Sequence, residues 1–174
     1  MKPAFALLLL LAAWPAFAGL IEGRVIEVPD GSTLTVLSNQ GASIHRVKLA
    51  GIDVPGKSSA IVGSSRENLR RLARGKTVRV DASAIDARGL LIGQVLIMRT
   101  PKDCGNQPCA PLLDPGISQL SFGLAVIDHQ NLAQHSAESQ KLYMDAQAHA
   151  KAQRLGVWRD PALLPVVQEG ARSR

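Results

Sequence analysis

Apolar residues alternate with polar ones through Leu20–Val28, and a run of this period reads as a β-strand that ends at the turn signal Pro29-Asp30-Gly31. Thr33–Leu37 is rich in β-branched residues, and Ser38-Asn39-Gln40-Gly41 reads as a hairpin loop. A third strand is predicted over Ser43–Ile52, with Ile44, Arg46 and Lys48 on one face and His45, Val47 and Leu49 on the other. Pro55 lacks the N–H that a strand ladder needs, so Asp53–Lys57 reads as a turn.

The period then changes. Over Ser58–Arg74, Ile61, Val62, Ser65, Leu69, Leu72 and Ala73 recur at helical spacing, and Gly75 suits the position just beyond a helix end. Arg66, Arg70, Arg71 and Arg74 fall mainly on the opposite side, as a solvated face or as a phosphate-facing patch. Thr77–Ala82 and Leu90–Met98 return to strand period, joined by the turn Asp86-Ala87-Arg88-Gly89. Asp114–Phe122 predicts a short helix with Pro115 in its first turn. Ser136 is an N-cap for a long helix to Leu155, whose inward stripe is predicted as Leu142, Ala146 and Ala150. Gly156 ends it, and Val157-Trp158 is expected to fold back on the core. Five short strands with a helix inserted after the third predict an α+β, mainly β domain: a five-stranded OB-fold barrel with three helices.

The ends differ in character from this domain. Met1-Lys2, the apolar stretch Ala4–Trp14 and Ala16-Phe17-Ala18 form the pattern of a signal peptide over residues 1–18. The expected product is an exported protein, periplasmic or secreted, with its folded domain over 19–160 and a loose tail over 161–174. Such a compartment is oxidising, so Cys104 and Cys109 are expected to form a disulfide stapling a small loop. The formal charge of +6 favours an acidic partner, nucleic acid or another polyanion, although it also serves solubility. Aromatic residues are only 3% of the chain, which counts against a surface built for base stacking. Tyr143 and Trp158, the main candidates for stacking, read as packing residues.

Three motifs in order carry a resemblance. Val28-Pro29-Asp30-Gly31-Ser32-Thr33-Leu34, Val47-Lys48-Leu49-Ala50-Gly51-Ile52-Asp53-Val54-Pro55 and Asp86-Ala87-Arg88-Gly89, extended by Ser121–Ala125 and Leu155–Trp158, make the chain similar to the staphylococcal nuclease (thermonuclease) family. The resemblance implies the OB barrel and, for the family, Ca²⁺-dependent hydrolysis of phosphodiester bonds in DNA and RNA. That chemistry needs several oxygen ligands for Ca²⁺, a carboxylate near the attacking water, and two arginine forks on the phosphate.

Carried over by position, Lys48 and Asp53 occupy catalytic places, Asp53 being the ligand carboxylate that is kept. Ser32 replaces a second ligand Asp, Lys48 and Leu90 replace the two arginines, and Gly56 replaces the glutamate. Arg88 takes the place of a substrate-contacting tyrosine, and Arg46 lies near the same cleft. Asp53 with Asp30, and also Asp86, are the metal candidates, and Ca²⁺ implied by the resemblance is expected to bind weakly or not at all. Three readings follow: an impaired homologue that binds nucleic acid or another anionic ligand, a divergent metal-dependent nuclease, and an envelope protein-interaction module using the Pro101–Pro115 loop.

Overall fold

The structure is a computed structural model that describes residues 19–55, 59–105 and 112–159. The expected signal peptide over 1–18, Gly56, Cys109 with its expected pairing to Cys104, and the residues beyond Arg159 lie outside the described residues.

Five strands close into a barrel. They are β1 (Gly19–Glu27), β2 (Thr33–Ser38), β3 (Ile44–Leu49), then β5 (Thr77–Ile85) and β6 (Leu91–Met98); β4 (Ile52–Asp53) lies outside the barrel ring. β1 is antiparallel to both β2 and β5, and β5 to β6. A parallel pairing of β3 with β6 shuts the ring. Closure removes the free edges that an open sheet would expose. Register shifts at Val25/Glu27 and Ala82/Ala84 bend the two longest strands, as bulges do in small barrels.

Alternation decides what fills the interior. Val25, Leu34, Val36, Val47, Leu49, Val78, Val80, Leu91, Val95 and Ile97 are buried inside, and their neighbours in β1, β3 and β5 point outward. α1 (Ser59–Ala73) buries Ser65, Leu69 and Ala73 against one side of the barrel, and Gly75 follows it in the left-handed region at φ +76°. The helix is thus aligned as its apolar spacing predicts.

The third strand is shorter than its sequence suggests. It stops at Leu49, because Gly51 turns the chain at φ +79°. A Cβ there would also press Leu132 and Tyr143 at 3.0 Å. Ile52–Asp53 instead pairs with β8 (Val126–Ile127) in a separate two-stranded ladder. β7 (Leu112–Leu113) extends the main sheet beyond β6.

The second half packs over the barrel. α2 (Pro115–Ser121) is capped by Asp114, which accepts from the Gly116 and Ile117 N–H groups. The one-turn helix α3 (His129–Leu132), absent from the three predicted helices, is capped by Asp128. α4 (Ala137–Ala152) begins after Ser136, as its sequence predicts. Its inward stripe is Tyr143, Ala146 and Ala150; Leu142, predicted to face in, is 47% exposed. Tyr143 wins the inward place because its hydroxyl finds a buried partner, donating to Asp114 Oδ1 at 2.9 Å and Oδ2 at 3.1 Å. Val157 is fully buried and its N–H bonds the Gly123 carbonyl at 2.8 Å, so the chain does return to the core after Gly156.

Candidate active site

The β1–β2 turn, the end of β3, β4 and the start of β6 supply the residues at the family positions. Thr33 is opposite Lys48 in the β2–β3 ladder, and Lys48 is opposite Ile92 in the β3–β6 ladder. The Leu49 N–H donates to the Ser32 carbonyl at 2.8 Å. Ser32 and Lys48 therefore share one end of the barrel, and the β3–β6 ladder runs back from there toward Leu90.

Lys48 and Asp53 meet. The ammonium lies 3.5 Å from Asp53 Oδ1, with the Lys48 side chain 27% and the Asp53 side chain 62% exposed. The turn at Gly51 makes this contact, by reversing the chain between β3 and β4. An ion pair this open to water contributes at most about 1 kcal/mol to stability. Its consequence is chemical: the carboxylate kept at the ligand position already faces a cation of the same chain.

Asp30 is spent on its own turn. Its Oδ1 accepts from the Ser32 N–H at 2.8 Å and from the Ser32 hydroxyl at 3.2 Å. Ser32 itself is buried and presents no carboxylate. Asp86 likewise builds the β5–β6 turn, accepting from the Arg88 and Leu90 N–H groups at 2.9 Å each. These bonds, the one from Leu90 foremost, hold its carboxyl below the ordinary carboxylate range. Among the described residues no three Asp, Glu, His or Cys side chains gather in a group that would hold a metal. The structure thus does not assemble Asp30, Asp53 and Asp86 into the metal site that their sequence positions allow. Ca²⁺ takes six to eight oxygen ligands, and this donor set, with one carboxylate facing Lys48 and another bound in its own turn, does not fit it.

The arginines separate into two groups. On α1, Arg70 grips Glu67 through two bonds of 2.8 Å, Arg71 bonds Asn68 at 3.3 Å, and Arg66 donates to the Val28 carbonyl at 3.1 Å. That row has local partners and behaves as a helix face. Arg46 and Arg88, by contrast, line one small cavity with Leu90. Neither stacking candidate is free: Tyr143 is buried, and the Lys151 ammonium covers the Trp158 ring 4.5 Å from its centroid.

Sequence reasoning missed the residue that anchors the site turn. Gln119 on α2 is fully buried, and its Nε2 reaches the Gly31 carbonyl at 2.6 Å and the Ser65 carbonyl at 2.9 Å, while its Oε1 accepts from Asn68 at 2.8 Å. Gly31 fits there only without a side chain, since a Cβ would fall 2.0 Å from Ser65 Oγ. A glutamine at an inward position of a short helix is the one signal that pointed to it.

Comparison with known proteins agrees with this frame. No family model matches the chain. An uncharacterised endonuclease of Escherichia coli O157:H7 is 35% identical over 95 residues, which is 55% of this chain and 61% of that protein. The chain therefore matches less than two thirds of that relative's length. A micrococcal nuclease of Shigella flexneri is 29% identical over 161 residues, covering 90% of this chain and 83% of the relative. Protein ParB of Escherichia coli is 29% identical over 167 residues, 92% of this chain and 85% of its own. With its barrel closed as described, the chain is homologous to micrococcal nuclease, consistent with a staphylococcal nuclease-like OB-fold domain.

Proposed function

We propose that this chain is an exported, nucleic-acid-binding member of its family that does not cleave by the family's Ca²⁺ mechanism. The observation that carries the reading is the Lys48–Asp53 ion pair. A divalent ion at Asp53 must displace this ammonium or sit beside it, and no second carboxylate is offered by Ser32. Lysine is a point charge and lacks the fork with which an arginine holds a phosphate bidentately. Leu90 supplies no charge at all. Loss of one transition-state charge stabiliser alone costs about 10²–10³ in rate. Arg46 and Arg88 still line a notch with no carboxylate among its lining residues, so attraction for a polyanion persists where catalysis does not. Export rests on the sequence of residues 1–18, and nucleic acid as partner rests on homology and on the positive charge.

Labelled single- and double-stranded DNA, incubated with the protein at low salt in Ca²⁺ or in EDTA, tests this. Binding that weakens with salt and leaves the DNA intact is the expected result. Strong Ca²⁺-dependent cleavage, abolished by Asp53→Ala, would overturn it. That outcome would establish the second reading, a divergent metal-dependent nuclease, which is favoured by the homology to endonucleases.

A further inference from the structure

The parallel β3–β6 ladder places Val47 opposite Leu91, so one step back Arg46 comes alongside Leu90. The β5–β6 turn crosses the end of this pair. Asp86 folds that turn and also takes hold of the Arg88 guanidinium, at 3.2 Å from Nη2 and 3.3 Å from Nε. Between strand and turn lies a notch of about 260 Å³, lined by Ile44, His45, Arg46, Arg88, Gly89 and Leu90.

Its chemistry is one-sided. Two guanidinium groups and an imidazole border it, and no carboxylate is in the lining. Arg88 has Asp86 to orient it, whereas Arg46 has no ion-pair partner among the described residues. Planar guanidinium forks match a phosphate. The notch volume is below the ~300–1,000 Å³ of pockets that enclose whole drug-sized ligands. A phosphate with its oxygens fits within it. No Phe, Tyr or Trp is in its lining to stack a base.

We propose that Arg46 and Arg88 clamp a single backbone phosphate of a nucleic acid strand in this notch, without reading its sequence. This inference rests on nucleic acid being the partner, and it deepens that reading by naming what is held and how. Neither arginine stands where the family keeps one, so the clamp belongs to this chain's own residues and lies outside the Lys48–Asp53 pair.

Anisotropy titrations of a labelled oligo(dT) and of a mixed-sequence single strand test the clamp over a salt series. Each phosphate contact contributes about 0.7 to the slope of log K against log salt on a single strand. Because the two arginines share one phosphate, the double variant of Arg46→Gln with Arg88→Gln is expected to lower the slope by about 0.7 and neither single variant by more, equally on both strands; a drop of about 1.4 would mean two separate phosphates and overturn the shared clamp. Arg70→Gln, already paired to Glu67, is the control and leaves the slope unchanged. A double variant that binds with the wild-type slope overturns the clamp, as does a loss confined to one sequence. Inorganic phosphate alone gives a separate arm, read from the arginine Nε–H signals by NMR. Saturable shifts at Arg46 and Arg88 support the notch even if the chain retains no DNA, in which case only nucleic acid as partner fails. Absence of saturable shifts overturns the phosphate site itself.

Discussion

Gln119 Nε2 holds the Gly31 carbonyl at 2.6 Å across 88 residues of sequence. A single amide thereby joins α2 to the turn that carries Asp30 and Ser32, with Ser65 and Asn68 of α1 in the same buried network. Gln119→Leu keeps the volume but leaves the Asn68 amide without this partner and the Gly31 carbonyl with only the long 3.5 Å bond from the Ser65 hydroxyl. Each unsatisfied buried group costs about 1–3 kcal/mol, so a loss of about 2–4 kcal/mol is expected. Urea unfolding checks it: the midpoint falls while the slope stays constant.

Tyr143 and Asp114 form the corresponding anchor on the other side. Burial first, then the nearby carboxylate, pushes the phenol pKa far up, so the hydroxyl stays a donor throughout the pH range of the folded chain. Asp114 also caps α2 and receives the Gln94 amide at 3.0 Å. Tyr143→Phe removes one bond to a charged acceptor, worth about 1.5–3 kcal/mol. Because the cap and the Gln94 bond remain, the variant should fold with an unchanged circular dichroism spectrum and a lower melting temperature.

His135 packs edge-on against Tyr143, with ring centroids 5.1 Å apart, and both its ring nitrogens lack a hydrogen-bond partner among the described residues. Burial holds its pKa below the ordinary value and outweighs the opposing carboxylates Asp114 and Asp81. In the unfolded chain the imidazole titrates near about 6.5. Between its depressed folded value and about 6.5 the unfolded chain binds the extra proton, so this contribution to stability is present above that window and is lost as pH falls through it. Urea unfolding over a series from about pH 5 to pH 8 should show this slope in the wild type and a flatter one in His135→Leu. An equal slope in both would assign the effect to other groups.

Restoring the family residue types should restore metal affinity. Ser32→Asp, Lys48→Arg, Gly56→Glu and Leu90→Arg together add two acids and exchange an ammonium for two forks. Calorimetry with Ca²⁺ and a nucleotide bisphosphate is expected to give saturable heat for the fourfold variant and little for the wild type. If the variant gives none, the cleft geometry has diverged along with its side chains.

Much of the frame is legible in the sequence because it is local. Strand alternation, Pro115 in the first turn of α2, the cap Ser136 and the glycine after α1 act over a few residues, where sterics and backbone hydrogen bonding leave little choice. Helical spacing, however, fixes the period of a stripe and not its partner, which is why Leu142 reads as inward although Tyr143 holds that place.

The sequence by itself determined the barrel, its turns and the residue types at each family position. Tertiary structure alone decided how those residues are used. The Gly51 reversal sets Asp53 against Lys48, and Asp30 turns onto Ser32. The parallel β3–β6 register brings Arg46 beside a turn some forty residues later in the chain. These pairings depend on barrel closure, which joins strands far apart in sequence, and no short-range pattern encodes which charged side chains will meet across it.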